Sequence, residues 1–284
     1  MATAPELRIP ERRPLTVIEP AKGWRLRAVR ELWSYRELLF YLTWRDVKIR
    51  YKQTLLGGAW AVLQPFLLML VFALFLGRLA GISSRVDIPY PIFAFAGLVP
   101  WTLFAQSLIN SSDSLVRGTD LVSKVYFPRL ILPIAAAGSF VFDFVIAFGL
   151  LVVMMVYYGI APTGAVVWLP AFTALAVAAA LAVGVWLAAL NVRYRDIKYA
   201  VPFLVQLWLF ASPVAYPTTI VPERWRPLLG LNPMAGVVEG FRWALVGGPK
   251  PGAVVFVSAA GTILLLVGGI AYFQRVERTF ADVI

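Results

Sequence analysis

Residues 144–192 read FVIAFGLLVVMMVYYGIAPTGAVVWLPAFTALAVAAALAVGVWLAALNV, without one charged side chain. A helix crosses a hydrocarbon core of ~30 Å with roughly 20 apolar residues. The interval is therefore too long for one crossing and predicts two. They part at Tyr157-Tyr158-Gly159-Ile160-Ala161-Pro162-Thr163-Gly164, where turn residues meet tyrosines suited to a membrane interface. Outward from this hairpin, residues 54–77, 88–112, 199–222 and 251–274 are also uncharged, and 130–143 extends the first arm with Asp143 as its single interruption. The reading is an all-α membrane protein with six transmembrane helices, at about 56–78, 89–112, 130–158, 165–190, 199–216 and 252–274.

Composition agrees. The chain of 284 residues is 60% hydrophobic and only 14% charged, whereas a soluble domain carries roughly a quarter charged residues to solvate its surface. Cysteine and histidine are absent, which excludes disulfides, thiol nucleophiles, imidazole bases and nearly every transition-metal site. Residues 1–57 are polar and charged with no cleavable signal, so the first span serves as the insertion signal. With both termini on the cytoplasmic side, 20 Lys and Arg fall inside and six outside (Arg78, Arg85, Arg224, Arg226, Arg242 and Lys250). That bias satisfies the positive-inside rule and accounts for the net charge of +11 through topology and anionic lipid, with no nucleic acid partner.

Three segments exceed a plain bundle. Residues 24–53, after a flexible tail at 1–23, place Leu26, Val29, Trp33, Phe40, Trp44, Val47 and Tyr51 at mostly helical spacing, with Arg and Lys on other faces. This predicts an amphipathic helix lying in the headgroup layer, or alternatively one packed on a partner. Residues 113–129 form a cytoplasmic loop whose Leu121, Val122, Val125, Tyr126 and Phe127 suggest either a docking surface or a return onto the bundle. Residues 217–250 are broken by Pro217, Pro222, Pro227 and Pro233, yet 228–247 are mostly apolar, with only Glu239 and Arg242 charged. They predict a re-entrant outer segment, with Glu239 and Arg242 at i and i+3 as a gate latch or a stabilising pair.

Chemistry is sparse. No phosphate-cradling Gly-x-x-x-x-Gly-Lys-Ser/Thr loop occurs, no paired carboxylates stand at catalytic spacing, and no catalytic or metal-ligating residue is expected. Asp143 is the lone acid within a span, about 18 Å from the start of its helix and so near its middle. Its roles are a structural hydrogen bond, lining of a path, or proton coupling. Phe140, Phe144 and Phe148 share a helical face, and Trp101 and Phe104 stand three apart. They serve helix packing or a path on which sugar rings stack.

The residues that complete the picture are Arg45-Asp46-Val47-Lys48-Ile49-Arg50-Tyr51-Lys52-Gln53-Thr54-Leu55-Leu56-Gly57 with Trp60 and Pro65, then Lys124-Val125-Tyr126-Phe127-Pro128-Arg129 and Leu132-Pro133. Asn191-Val192-Arg193-Tyr194-Arg195-Asp196, Ser212-Pro213-Val214 and Leu231-Asn232-Pro233-Met234 follow. In this order the motifs resemble the permease subunit of type-2 ABC exporters, in the branch that exports O-antigen, capsule or teichoic acid polysaccharides. The resemblance covers about residues 24–284. It implies a chain that is not itself an enzyme, set in the bacterial cytoplasmic membrane as a homodimer with two ATP-binding subunits that carry ATP and Mg. It also implies docking of the ATPase at Asp120, Leu121, Lys124, Tyr126, Phe127 and Arg129, with Arg193, Arg195 and Asp196 in the second loop. The substrate implied is a polyprenyl-diphosphate-linked glycan. Arg45, Lys48, Arg50 and Lys52 offer the cations that a diphosphate needs at headgroup depth. The resemblance also implies that the first and fifth spans line a path near the dimer axis. The candidate lining residues are Trp60, Gln64, Phe66, Trp101, Phe104, Phe140, Asp143 and Phe144. Export of a drug, peptide or lipid is the alternative within the family, and an ATP-independent scramblase the alternative outside it.

Overall fold

The computed structural model describes residues 31–52, 57–277 and 280. The tail expected at 1–23 and the beginning of the amphipathic helix lie outside these residues. Among them the chain is helical without strands. Helix α1 is Arg36–Tyr51, and α2 is Ala59–Phe72, prolonged by a π-helical stretch Ala73–Leu79. Then come α3 (Tyr90–Arg117), α4 (Thr119–Lys124), α5 (Ile131–Gly138), α6 (Phe140–Tyr157) and α7 (Leu169–Arg193). The chain ends with α8 (Ile197–Ala211), α9 (Pro233–Val246) and α10 (Ala253–Val276).

Five segments are long and apolar enough to cross a membrane: Ala59–Leu79, Tyr90–Arg117, Ile131–Tyr157, Gly164–Arg193 and Ala253–Val276. The sixth predicted span is represented by α8, whose 15 residues extend only about 22 Å at 1.5 Å per residue. It stops because Pro213 and Pro217 follow, and a proline in a helix interior costs a hydrogen bond and a steric clash. Lipid solvates the outside of such a bundle, so apolar residues need not turn inward. Leu67, Leu70, Leu74 and Phe75 on α2 and Phe256, Ile263 and Leu264 on α10 are accordingly exposed.

Helix α3 is the core element, with 78% of its apolar window buried against 17% for α2. It packs on α5, α6, α7 and α9. Small residues let these backbones approach, as membrane helices require when no hydrophobic effect drives them together. A Cβ on Gly240 of α9 would lie 2.4 Å from the Phe172 ring of α7. A second apolar cluster closes the end of the bundle that carries α4. There Leu42 of α1, Leu115 of α3, Val122 of α4, Ile131 of α5, Val192 of α7 and Phe273 of α10 meet.

Helix α1 turns aliphatic residues rather than its aromatics toward the bundle. Leu42 and Val47 are buried, with Leu38 and Leu39 partly so, while Trp33, Phe40 and Trp44 face outward. The helix is apolar on both sides, and branched aliphatic chains win the inner face because they pack against the small residues of α5. The arm 131–157 has a turn at Ser139 between α5 and α6, and Asp143, in the first turn of α6, stands near the middle of the span Ile131–Tyr157.

At the opposite end, Arg242 of α9 is buried and its N–H groups donate to three carbonyls: Phe93 at 3.3 Å, Pro213 at 2.6 Å, and Val214. The guanidinium lies 3.6 Å from the centre of the Phe93 ring. Backbone broken by proline leaves the Pro213 and Val214 carbonyls outside any helix, and away from water they must be satisfied by side chains. Gly97 makes room, since a Cβ there would sit 2.8 Å from the guanidinium. The expected ion pair of Arg242 with Glu239 is absent among the described residues, because the carbonyls hold the arginine. Around it, Tyr90 donates to the carbonyl of Ala215 at 2.5 Å. Asn232 caps α9 through Met234 N–H (3.0 Å) and donates to Ser212 Oγ (2.8 Å). Replacing Arg242 with methionine orphans these carbonyls at about 1–3 kcal/mol each. The variant is expected to lose thermal stability in detergent or nanodiscs, and Glu239→Gln to leave it unchanged; equal melting of the two variants would remove the clamp.

Candidate functional site

The site begins where α1 meets α5 and α6. Val47 is buried, and Arg50, three residues on, shares its face at helical spacing. That register delivers the guanidinium to Asp143 Oδ2 at 2.7 Å and to Ser139 Oγ at 2.7 Å. It also lies 3.6 Å over the Phe140 ring. Ser139 Oγ donates in turn to the carbonyl of Ala136. Tyr51 donates its hydroxyl to the other oxygen of Asp143, and its ring meets Phe142 edge-on at 5.7 Å. Burial first, then the bond to Asp143, pushes the Tyr51 phenol up to about 12. It therefore stays neutral and keeps its proton to donate. Asp143 thus accepts two hydrogen bonds, one of them within the ion pair, and also borders a neighbouring cleft.

Above this cluster opens a cleft of about 290 Å³. Helix α2 contributes Trp60 and Gln64; α3 contributes Thr102, Gln106 and Asn110; the base is Arg50, Tyr51, Phe140, Asp143 and Phe144. Amides and a hydroxyl both donate and accept, aromatic faces cover C–H surfaces, and the arginine arrives already neutralised by its partner. Such a lining fits a hydroxyl-rich ligand better than a bare anion. On the far side of Phe144 lies a second, apolar groove of about 850 Å³ between α6 and α7, walled by Val141, Phe148, Thr173, Ala174 and Val177.

The remaining predicted residues are distributed more widely. Of the basic set on α1, Arg45 pairs with its neighbour Asp46 at 2.8 Å, Lys48 lies 5.7 Å from the Trp44 ring, and Lys52 is exposed. Among the channel candidates, Trp60, Gln64, Phe140, Asp143 and Phe144 converge on the cleft. Phe66 packs against the core, and Trp101 and Phe104 are inside it. Ring distances of 5.3 Å between Trp101 and Phe104 and 5.1 Å from Phe104 to Trp208 make them an aromatic packing chain. Phe148 stacks on Phe144 at 5.8 Å but borders the apolar groove.

In the segment 113–129, residues up to Arg117 continue α3, and α4 forms a separate helix. Asp120 and Lys124 pair at 2.8 Å on its exposed side, which lowers the carboxyl and raises the ammonium of each. Tyr126 projects with 78% exposure, while Phe127 turns into the α4-end cluster. Arg129 is held by the C-terminal end: its N–H donates to Glu277 Oε1 at 3.2 Å and its guanidinium to the Glu277 carbonyl. Arg193, the last residue of α7, and Arg195 and Asp196 beyond it are exposed. Sequence reasoning missed Thr102, Gln106, Asn110, Ser139 and the bond from Tyr51. The signal for the first three was present, as polar residues four apart inside the uncharged interval 88–112.

The sequence has counterparts among known proteins. Residues 37–246 match the model of the ABC-2 type transporter family. The O-antigen export system permease protein RfbA of Myxococcus xanthus is 36% identical over 261 residues, covering 90% of this chain and 99% of that protein. A protein of the same name from Klebsiella pneumoniae is 28% identical over 250 residues, 87% of this chain and 95% of its own. The polysialic acid transport protein KpsM of Escherichia coli is 24% identical over 244 residues, 82% and 91% respectively. With the family match running from α1 through α9, the chain belongs to the ABC-2 type transporter family.

Proposed function

We propose that this chain is the transmembrane subunit of an ATP-driven exporter that carries a polyprenyl-diphosphate-linked polysaccharide, of the O-antigen, capsule or teichoic acid class, from the cytoplasmic side across the bacterial cytoplasmic membrane. The observation that carries the reading is the cleft, where neutral amides and aromatic faces gather beside an arginine already paired with Asp143. The names of the relatives, an O-antigen export permease and a polysialic acid transport protein, support it. On this reading α8 and the turns after it complete a sixth crossing, α9 is the re-entrant outer segment, and both termini are cytoplasmic. Helix α1 lies in the headgroup layer, with Trp33, Phe40 and Trp44 toward lipid.

Two copies of the chain work with two ATP-binding subunits, which hold the ATP and Mg that this chain has no loop to bind. The exposed side of α4 with Tyr126, and the residues Arg193, Arg195 and Asp196, form the docking surface. ATP-driven closure of those subunits moves α4, and the helices carry the motion to the outer segment. There Arg242 acts as a fixed anchor for the gate. Lys48 and Lys52 have no carboxylate partner among the described residues and take the diphosphate at the membrane surface, while Arg50 and the cleft meet the first sugars. A second reading, export of an unglycosylated lipid, is favoured by the apolar groove beyond Phe144.

Three outcomes separate these readings. The chain is expected to co-purify with an ATP-binding subunit, and substitution of Tyr126 by aspartate to disrupt that pairing; purification alone in both cases would exclude a coupled exporter. Reversing Lys48 and Lys52 to glutamate is expected to cut surface glycan about tenfold, the loss of one charge-assisted contact's worth of affinity. Normal export by a correctly inserted double variant would exclude these lysines. Phe140→Leu with Phe144→Leu is expected to cripple glycan export while sparing assembly, and Phe148→Leu to have little effect. The reverse order, with Phe148 the sensitive position, would favour the lipid.

A further inference from the structure

Helix α3 is enclosed on almost every side, yet between residues 101 and 117 seven positions are not buried: Thr102, Gln106, Ile109, Asn110, Asp113, Val116 and Arg117. At 100° per residue they fall within an arc of about 120°. Five of the seven are polar or charged, in a helix whose remaining surface is apolar or small. Helices that face lipid here do the opposite and show large apolar residues, as Phe256, Ile263 and Leu264 do on α10. Amide and carboxylate groups turned to hydrocarbon cost several kcal/mol apiece, so a polar stripe at membrane depth faces water or a polar occupant.

The stripe is continuous. Thr102, Gln106 and Asn110 line the cleft. One turn further, Asp113 pairs with Arg117 at 3.1 Å, and Arg117 also donates to the carbonyl of Asn110 at 2.8 Å. Asn191 of α7 donates to Asp113 Oδ1 at 3.3 Å, fixing the carboxylate from behind. Arg117 is the last residue before the turn into α4.

We infer that this face of α3 is the wall of a hydrated entry path within one protomer, leading from the α4 end to the cleft, and that it binds the hydroxyl groups of a sugar chain. The inference rests on the proposed polysaccharide cargo and adds the residues that receive it. Gln106 and Asn110 exchange hydrogen bonds with successive hydroxyls. The Asp113–Arg117 pair keeps the mouth polar with no net charge, so it neither traps nor repels an anionic glycan.

The natural absence of cysteine makes the test direct. Single cysteines at Gln106, Asn110 and Asp113 are placed in the otherwise unchanged chain, assembled with its ATP-binding subunit in membranes, and treated with a membrane-impermeant maleimide. Maleimide reacts with the thiolate, which forms in water and not in lipid, so these positions are expected to label about tenfold faster than cysteine at Val153 or Leu264 on the outer surface. Rates equal to those controls would overturn the path, and would mean that lipid or the second copy covers the stripe. In parallel, Gln106→Leu and Asn110→Leu are expected to lower surface glycan severalfold, with membrane insertion and ATPase pairing retained. Rapid labelling with undiminished export by both variants would overturn the sugar-binding role while leaving the export reading intact. Absence of glycan export by the unaltered chain would instead reject the export reading.

Discussion

The ion pair between Arg50 and Asp143 ties α1 to the bundle, and both residues line the cleft. Each charge is one that a membrane protein cannot leave unpartnered. The arginine is brought to the pair by its place on the buried face of α1, and the aspartate by its place in α6. Together they cancel, and the surplus hydrogen-bonding capacity goes to Ser139 and Tyr51. The face of Phe140 shields the guanidinium from the apolar side. Removing one partner would leave the other as an uncompensated charge, a far larger penalty than the pair's net contribution.

The same device recurs at the other end of the molecule with a different complement. Arg242 also lies 3.6 Å over a phenylalanine ring, but its counterparts are carbonyl oxygens of Phe93, Pro213 and Val214. An arginine suits both places because its planar fork directs several donors at once and its weak hydration makes burial tolerable. Lysine also has three donors, but they leave one compact, strongly hydrated atom and lack the reach of the planar fork. The proline-broken stretch 213–217 is irregular backbone, and the guanidinium substitutes for the helical N–H groups that it lacks.

Much of this could be read from residue order. Long uncharged intervals located the helices, because lipid exposure demands apolar side chains wherever a chain crosses. The aromatic and basic content of α1 indicated a surface helix but not which face it buries, since both faces are apolar and only the shape of α5 decides. Asp143 was visible as an expensive residue, whereas its partner lies 93 positions away and no spacing rule connects them. For Glu239 and Arg242 the i, i+3 spacing suggested a local pair. It failed because carbonyls freed by a distant break compete for the same arginine. Thr102, Gln106 and Asn110 were overlooked for a simpler reason: uncharged polar residues barely disturb a hydropathy pattern, though their four-residue spacing already marked a single face.

Helix α3 connects these features. Its first turn carries Phe93, whose carbonyl and ring receive Arg242; its middle lines the cleft; its last residue precedes α4. At 1.5 Å per residue its 28 residues span about 42 Å, longer than a bilayer's hydrocarbon is thick. With most of its surface packed, the helix has little freedom to bend along its length. The exception is near Pro100, which lacks the N–H that would bond the preceding turn, and Thr102 returns its hydroxyl to the carbonyl of Leu98 at 2.8 Å in that region. On the proposed export reading, α3 is the element that joins α4 past the cleft to the clamp, with Pro100 as the point of give between them. The polar stripe fits this role, since a helix packed on all other sides can present a wet face without losing its register.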